Sequence, residues 1–99
     1  NFIKFNYICE SNKIIPNANY LKNLTLLLNF YKKKRELLYV DMVLFLTDYY
    51  FSDLKNKSSL NNEKMIEYKT FIFENINKFF LYNLNQNALL NAITNKIND

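Results

Sequence analysis

Few side chains in this sequence are of a type that performs reactions. Histidine, the commonest general acid–base, is absent, and there is one cysteine, Cys9. Without a histidine beside it Cys9 lacks a base to generate its thiolate, and it reads as a small buried apolar residue. A single cysteine closes no internal disulfide and, with no histidine, completes no zinc ligand set; a reducing, cytoplasmic setting is expected. The carboxylates Asp41, Asp48 and Asp53 fall on one helical segment. Asp41 and Asp48 continue through Ser52 and Lys55 as a narrow polar stripe, so a solvated face accounts for at least two of the three without any reaction. Glycine is also absent, which removes the Gly-rich loops that cradle phosphates. No catalytic, cofactor-binding or metal-ligating residues are therefore expected, and any nucleotide hydrolysis must lie elsewhere.

The remaining chemistry is electrostatic or aromatic. Lys32, Lys33, Lys34 and Arg35 form the one basic run, a candidate nucleic-acid contact. Cations also complement the negative end of a helix, so the same run serves as a helix terminus. The formal net charge of +4 falls short of the concentrated excess of a dedicated DNA-binding domain. Tyr49, Tyr50 and Phe51 offer rings for base stacking, but consecutive helical residues point to different faces and supply core and interface material instead.

These residues need helices to position them. A chain of 99 residues with 49% hydrophobic content is one domain able to bury a core. With no glycine, the two-residue hairpin turns of a many-stranded sheet would rest on Asn and Asp alone, so the expected class is all-α, a compact bundle of about five helices. Phe2 to Cys9 reads both ways: alternate residues Ile3, Phe5, Tyr7 and Cys9 suit a strand, and Phe2, Phe5 and Ile8 or Cys9 suit a helix. Glu10 to Asn19, with Pro16, is a connection, and Asn17 or Asn19 caps the helix after it.

From Tyr20 to about Lys32–Arg35, an apolar face of Tyr20, Leu24, Leu27, Leu28 and Tyr31 predicts an amphipathic helix. Glu36 to Leu54 is apolar on most sides, as in the middle of a bundle; Asp41, Thr47 and Asp48 would be costly inside a bilayer, so no membrane span is expected. Lys55 to Asn62 is a polar loop ending in Asn61 or Asn62 as cap, with Glu63 at the positive end of the next helix dipole. That helix, Glu63 to Tyr82, turns Met65, Ile66, Lys69 by its stem, Ile72, Phe73, Ile76, Phe79 and Phe80 inward and Glu67, Thr70, Glu74, Asn77 and Lys78 outward.

It gives out at Asn83 and Asn85, and a final helix begins at once with Ala88, Leu89, Ala92, Ile93 and Ile97 on one stripe. Asparagine suits this corner because its amide bonds orphan backbone groups and it tolerates left-handed angles. The run Leu81, Asn83, Leu84, Asn85, Gln86, followed by Ala88, Leu89, Leu90, Asn91 and Ile93, resembles the end of bacterial DNA polymerase III clamp-loader subunits, whose penultimate helix closes with Leu-X-X-Asn-X-Asn-Pro. Gln86 stands where that family usually has proline, and Asn91 where it usually has glutamate. Upstream, Leu46 to Met65 is similar to the long helix and polar loop of the delta-prime subunits; together the two stretches cover about half the chain.

The resemblance implies the C-terminal collar domain of a delta-prime subunit, with the gamma/tau collar as nearest competitor. It favours helix for Phe2 to Cys9, and it places AAA+ motor modules N-terminal to Asn1 on a longer chain. It implies a non-catalytic oligomerisation role within a loader that places the sliding clamp on primed DNA for the DNA-directed polymerase. The implied partners are the gamma/tau and delta subunits, with DNA met only indirectly, no membrane, no cofactor and no small-molecule substrate. Phe79, Phe80, Leu84, Leu89, Leu90 and Ile93 are the interface candidates, although the same six also suit an internal core. A small helical nucleic-acid-binding module centred on Lys32 to Arg35, and an unrelated helical scaffold, are the other readings.

Overall fold

The structure, a computed structural model, describes residues 2–11, 19–57 and 61–97. The described residues form five helices and no strand: α1 (Phe2–Ser11), α2 (Tyr20–Lys34), α3 (Leu37–Lys57), α4 (Asn62–Tyr82) and α5 (Gln86–Ile97). The fold is all-α, and Phe2 to Cys9 is helical. The expected connection around Pro16 and the Asn17 cap lie outside the described residues. Two compact units are present, Asn1–Asp53 and Leu54–Asp99.

In the first unit α2 and α3 run antiparallel, since Tyr20 meets Thr47 and Tyr50 while Phe30 meets Tyr39. Leu24, Leu27 and Leu28 of α2 are buried, as are Met42, Val43 and Leu46 of α3, at the helical spacing that makes one continuous stripe. A polar joint is set among them. Thr47 donates its hydroxyl hydrogen to the Val43 carbonyl at 2.9 Å, so at 2.8 Å it is the Tyr20 hydroxyl that donates to Thr47 Oγ1. Tyr50 stacks on the Tyr20 ring with centroids 4.4 Å apart. Burial pushes the Tyr20 phenol far above its ordinary range, against a smaller downward pull from the Thr47 bond, so the joint stays neutral.

Two boundaries differ from the sequence expectation. Asn19 makes no side-chain cap; it sits in the left-handed region at φ 54° and contributes only its carbonyl, which accepts the Asn23 N–H at 3.1 Å. The helix α3 also runs on through Lys55, Asn56 and Lys57, which were expected to be loop, since none of the three is a residue that breaks a helix. The polar stripe lies on the solvent side throughout: Asp41, Asp48, Ser52 and Lys55 are all exposed. No helix among the described residues is long and apolar enough to cross a membrane.

In the second unit Asn61 caps α4 by accepting the Lys64 N–H at 2.8 Å, and Glu63 stands in the first turn. The buried face of α4 is Met65, Tyr68, Ile72, Ile76 and Phe79. It includes Tyr68, absent from the expected set, and leaves out Ile66, which is exposed. A tyrosine buries its ring while its hydroxyl reaches the rim, so the stripe runs through Tyr68 at regular spacing of three and four. The helix α5 packs on α4 and buries Leu89 and Ile93, one turn apart. Among the described residues no buried side-chain nitrogen or oxygen lacks a hydrogen-bond partner.

Candidate functional site

The corner between α4 and α5 is built by two asparagines in different roles. Asn83 takes left-handed angles, φ 51° and ψ 51°, and the N–H groups of Asn83 and Leu84 both return to the Phe79 carbonyl. That closes α4 on orphan acceptor capacity that an uncapped end leaves to water. Two residues on, the Asn85 side chain accepts the Ala88 N–H at 3.0 Å and starts α5. One residue ends a helix, another opens the next, and Leu84 is carried outward between them.

The surface so formed is apolar and nearly uncharged. Leu81, Tyr82 and Leu84 are 74%, 66% and 48% exposed. From Asn75 to Asn95 the only charged residue is Lys78, which has Leu81 and Tyr82 as its neighbours one turn on, at i+3 and i+4. Exposed apolar side chains ringed by uncharged amides, rather than by lysines and carboxylates, have the composition of the central part of a protein–protein contact.

The six expected interface residues divide. Phe79, Leu89 and Ile93 are buried, Phe80 and Leu90 are half-buried, and Leu84 is exposed. Phe80 meets the buried Phe79 edge-on, with centroids 5.1 Å apart, which joins the inner stripe to the rim of the corner. Leu81 and Tyr82 are the exposed members that the apolar stripe did not single out. Leu81, two positions after Phe79, points to the opposite side of α4, whereas Tyr82 lies on the Phe79 side in the last turn of the helix, where it is exposed.

The corner between α2 and α3 is of opposite character. Lys32, Lys33 and Lys34 are exposed at successive helical positions, about 100° apart, so their charges fan around the helix instead of lining one track. Arg35 turns the chain in the left-handed region at φ 55°, its N–H bonded to the Tyr31 carbonyl at 2.7 Å and its guanidinium 5.5 Å from the Tyr31 ring centre. The aromatic trio is likewise dispersed, with Tyr49 exposed, Tyr50 stacked on Tyr20 and Phe51 buried.

Asp41 and Asp48 are exposed and Asp53 is half-buried. Among the described residues there is no group of three His, Cys, Asp or Glu placed to hold a metal ion. Cys9 is buried, and burial pushes its thiol up from the ordinary value, away from the nucleophilic thiolate. Comparison with protein-family models, with curated proteins and with solved structures gives no match.

Proposed function

We propose that this chain is a non-catalytic assembly domain, the collar of a DNA polymerase III clamp-loader subunit of the delta-prime kind, and that it docks on neighbouring subunits through the corner between α4 and α5. The observation that carries the reading is that corner: a left-handed Asn83 and a capping Asn85 joining the last two helices, with Leu81, Tyr82 and Leu84 exposed within a run, Asn75 to Asn95, whose one charge is Lys78. It supports docking because burying apolar area stabilises association at roughly 25 cal/mol per Å² while an uncharged rim adds little desolvation cost.

In this reading Leu84, Leu81 and Tyr82 make the contact, with Phe80 and Leu90 at its edge, and Phe79, Leu89 and Ile93 hold the two helices that present it. The contribution is geometric: the helical surface fixes subunit order while the ATP-driven steps that open the clamp belong to other modules. The partners are gamma/tau and delta, and DNA is met only through the assembled loader. The test is co-assembly with those subunits, followed by sedimentation. Leu81→Asp together with Leu84→Asp should weaken assembly at least about tenfold, as truncating central contacts does. Unchanged assembly of the double variant would refute the corner as the docking site.

A further inference from the structure

The last turn of α5 ends on an arrangement that the sequence pattern does not reveal. The helix carries a single charged residue, Lys96. Its Nζ donates to Glu67 Oε1 at 3.0 Å and stands 5.6 Å from the centre of the Tyr68 ring and 5.3 Å from that of Phe71. Glu67 and Phe71 lie one turn apart on α4 with Tyr68 beside them, so one carboxylate and two ring faces converge on one ammonium. Both kinds of contact act on the charge: the carboxylate as an ion pair, the rings through their quadrupoles.

We propose that Lys96 is a charge-operated latch that keeps the last turn of α5 closed on α4. The near end of α5 is tied covalently through the three-residue corner and capped by Asn85, and the middle is held by Leu89 and Ile93. Beyond Ile93 the described residues are Thr94, Asn95, Lys96 and the half-buried Ile97. A helix of twelve residues is marginal by itself in water, and its final carbonyls have no partners within the helix. The ammonium offsets both deficits, since it anchors the turn and complements the negative end of the dipole. Losing the charge therefore opens this turn; N-acylation would cause it when Nζ, its proton given up to solvent, attacks an acyl phosphate or thioester, forming the amide N–C bond as the acyl C–O or C–S bond breaks and phosphate or thiol leaves.

Amide hydrogen exchange on the protein carrying this chain tests the latch, comparing Lys96→Met and Lys96→Gln, which drop the charge, with Lys96→Arg, which keeps it. In the two neutral variants the amides of Thr94 to Ile97 should exchange roughly 3- to 10-fold faster, while those around Ile76 and the corner stay unchanged. The arginine variant should match the parent. Parent-like protection in Lys96→Met would overturn the proposal, as would Lys96→Arg opening as much as Lys96→Met, which would assign the contact to shape and not charge. Equal acceleration throughout α4 and α5 would also overturn it, because the change would then be general loosening.

Discussion

The two helix corners meet the same backbone requirement with different residues. After α2 the chain turns on Arg35 at φ 55°, and after α4 on Asn83 at φ 51°; each returns its N–H to the carbonyl four residues back. Asparagine takes such angles readily, whereas an arginine carries the full steric cost of its Cβ against the following carbonyl. The surroundings differ in the same sense. The Arg35 corner carries solvated Lys32, Lys33, Lys34 and Glu36 around an exposed Leu37, and the Asn83 corner carries amides around exposed leucine and tyrosine. A corner held by a charged residue suits water, and a corner held by a neutral one is free to be covered by another protein.

The largest effect expected within the chain concerns the buried joint that aligns the helices leading into and out of the Arg35 corner. Thr47→Val removes the acceptor of the Tyr20 hydroxyl and leaves a buried donor unsatisfied, at a cost of about 1–3 kcal/mol in urea unfolding. Adding Tyr20→Phe should recover much of that loss, because both polar groups are then gone; a double variant no more stable than Thr47→Val would argue that the hydrogen bond is not what holds the joint.

A smaller effect distinguishes the corners themselves. Arg35→Gly relieves roughly 1 kcal/mol of left-handed strain and forfeits part of it through the lost Tyr31 contact, for a net gain of about 0.5 kcal/mol. Asn83→Gly should leave the midpoint nearly unchanged, since asparagine already accepts the angle. If Arg35→Gly lowers the midpoint more than Asn83→Gly does, the strain argument is wrong.

The smallest effect is the acid response of the second unit. The hydrogen bond from Lys96, with that cation's charge, holds the exposed Glu67 carboxyl below its ordinary range. A depressed acid contributes stability that is present above its unfolded value, and this is lost as the pH falls through the lowered folded value. The difference in melting temperature between the parent and Glu67→Gln should therefore be open at neutral pH and close in acid. A gap that persists below about pH 3, or is absent at about pH 7, would contradict the pairing.

Local grammar explains which parts were legible in the sequence. Asn61, Asn83 and Asn85 announce helix ends because a cap acts over three or four residues, and the buried leucines of α2 show directly in their spacing. What stayed hidden depends on residues brought together from afar. Tyr20 and Thr47 are separated by 27 positions, and Lys96 and Glu67 by 29, with nothing local to mark either pair. The left-handed Arg35 was invisible for a different reason: its basic run already had an explanation as a helix terminus. At the candidate site the apolar stripe identified Phe79, Leu89 and Ile93 alongside Leu84 because core and docking surfaces share one chemistry. Only the packing of α5 separates the buried three from the exposed one, and adds Leu81 and Tyr82 to it.

The most direct test sets one corner against the other in the same assembly reaction. The protein carrying this chain is mixed with gamma/tau and delta subunits, and the complexes are weighed by native mass spectrometry. One variant carries Leu81→Asp and Leu84→Asp; the other carries Lys32→Glu, Lys33→Glu, Lys34→Glu and Arg35→Glu. The neutral corner predicts loss of the complex for the first and an intact complex for the second. Retention by the first variant with loss in the second would place the contact at the basic corner and contradict the account.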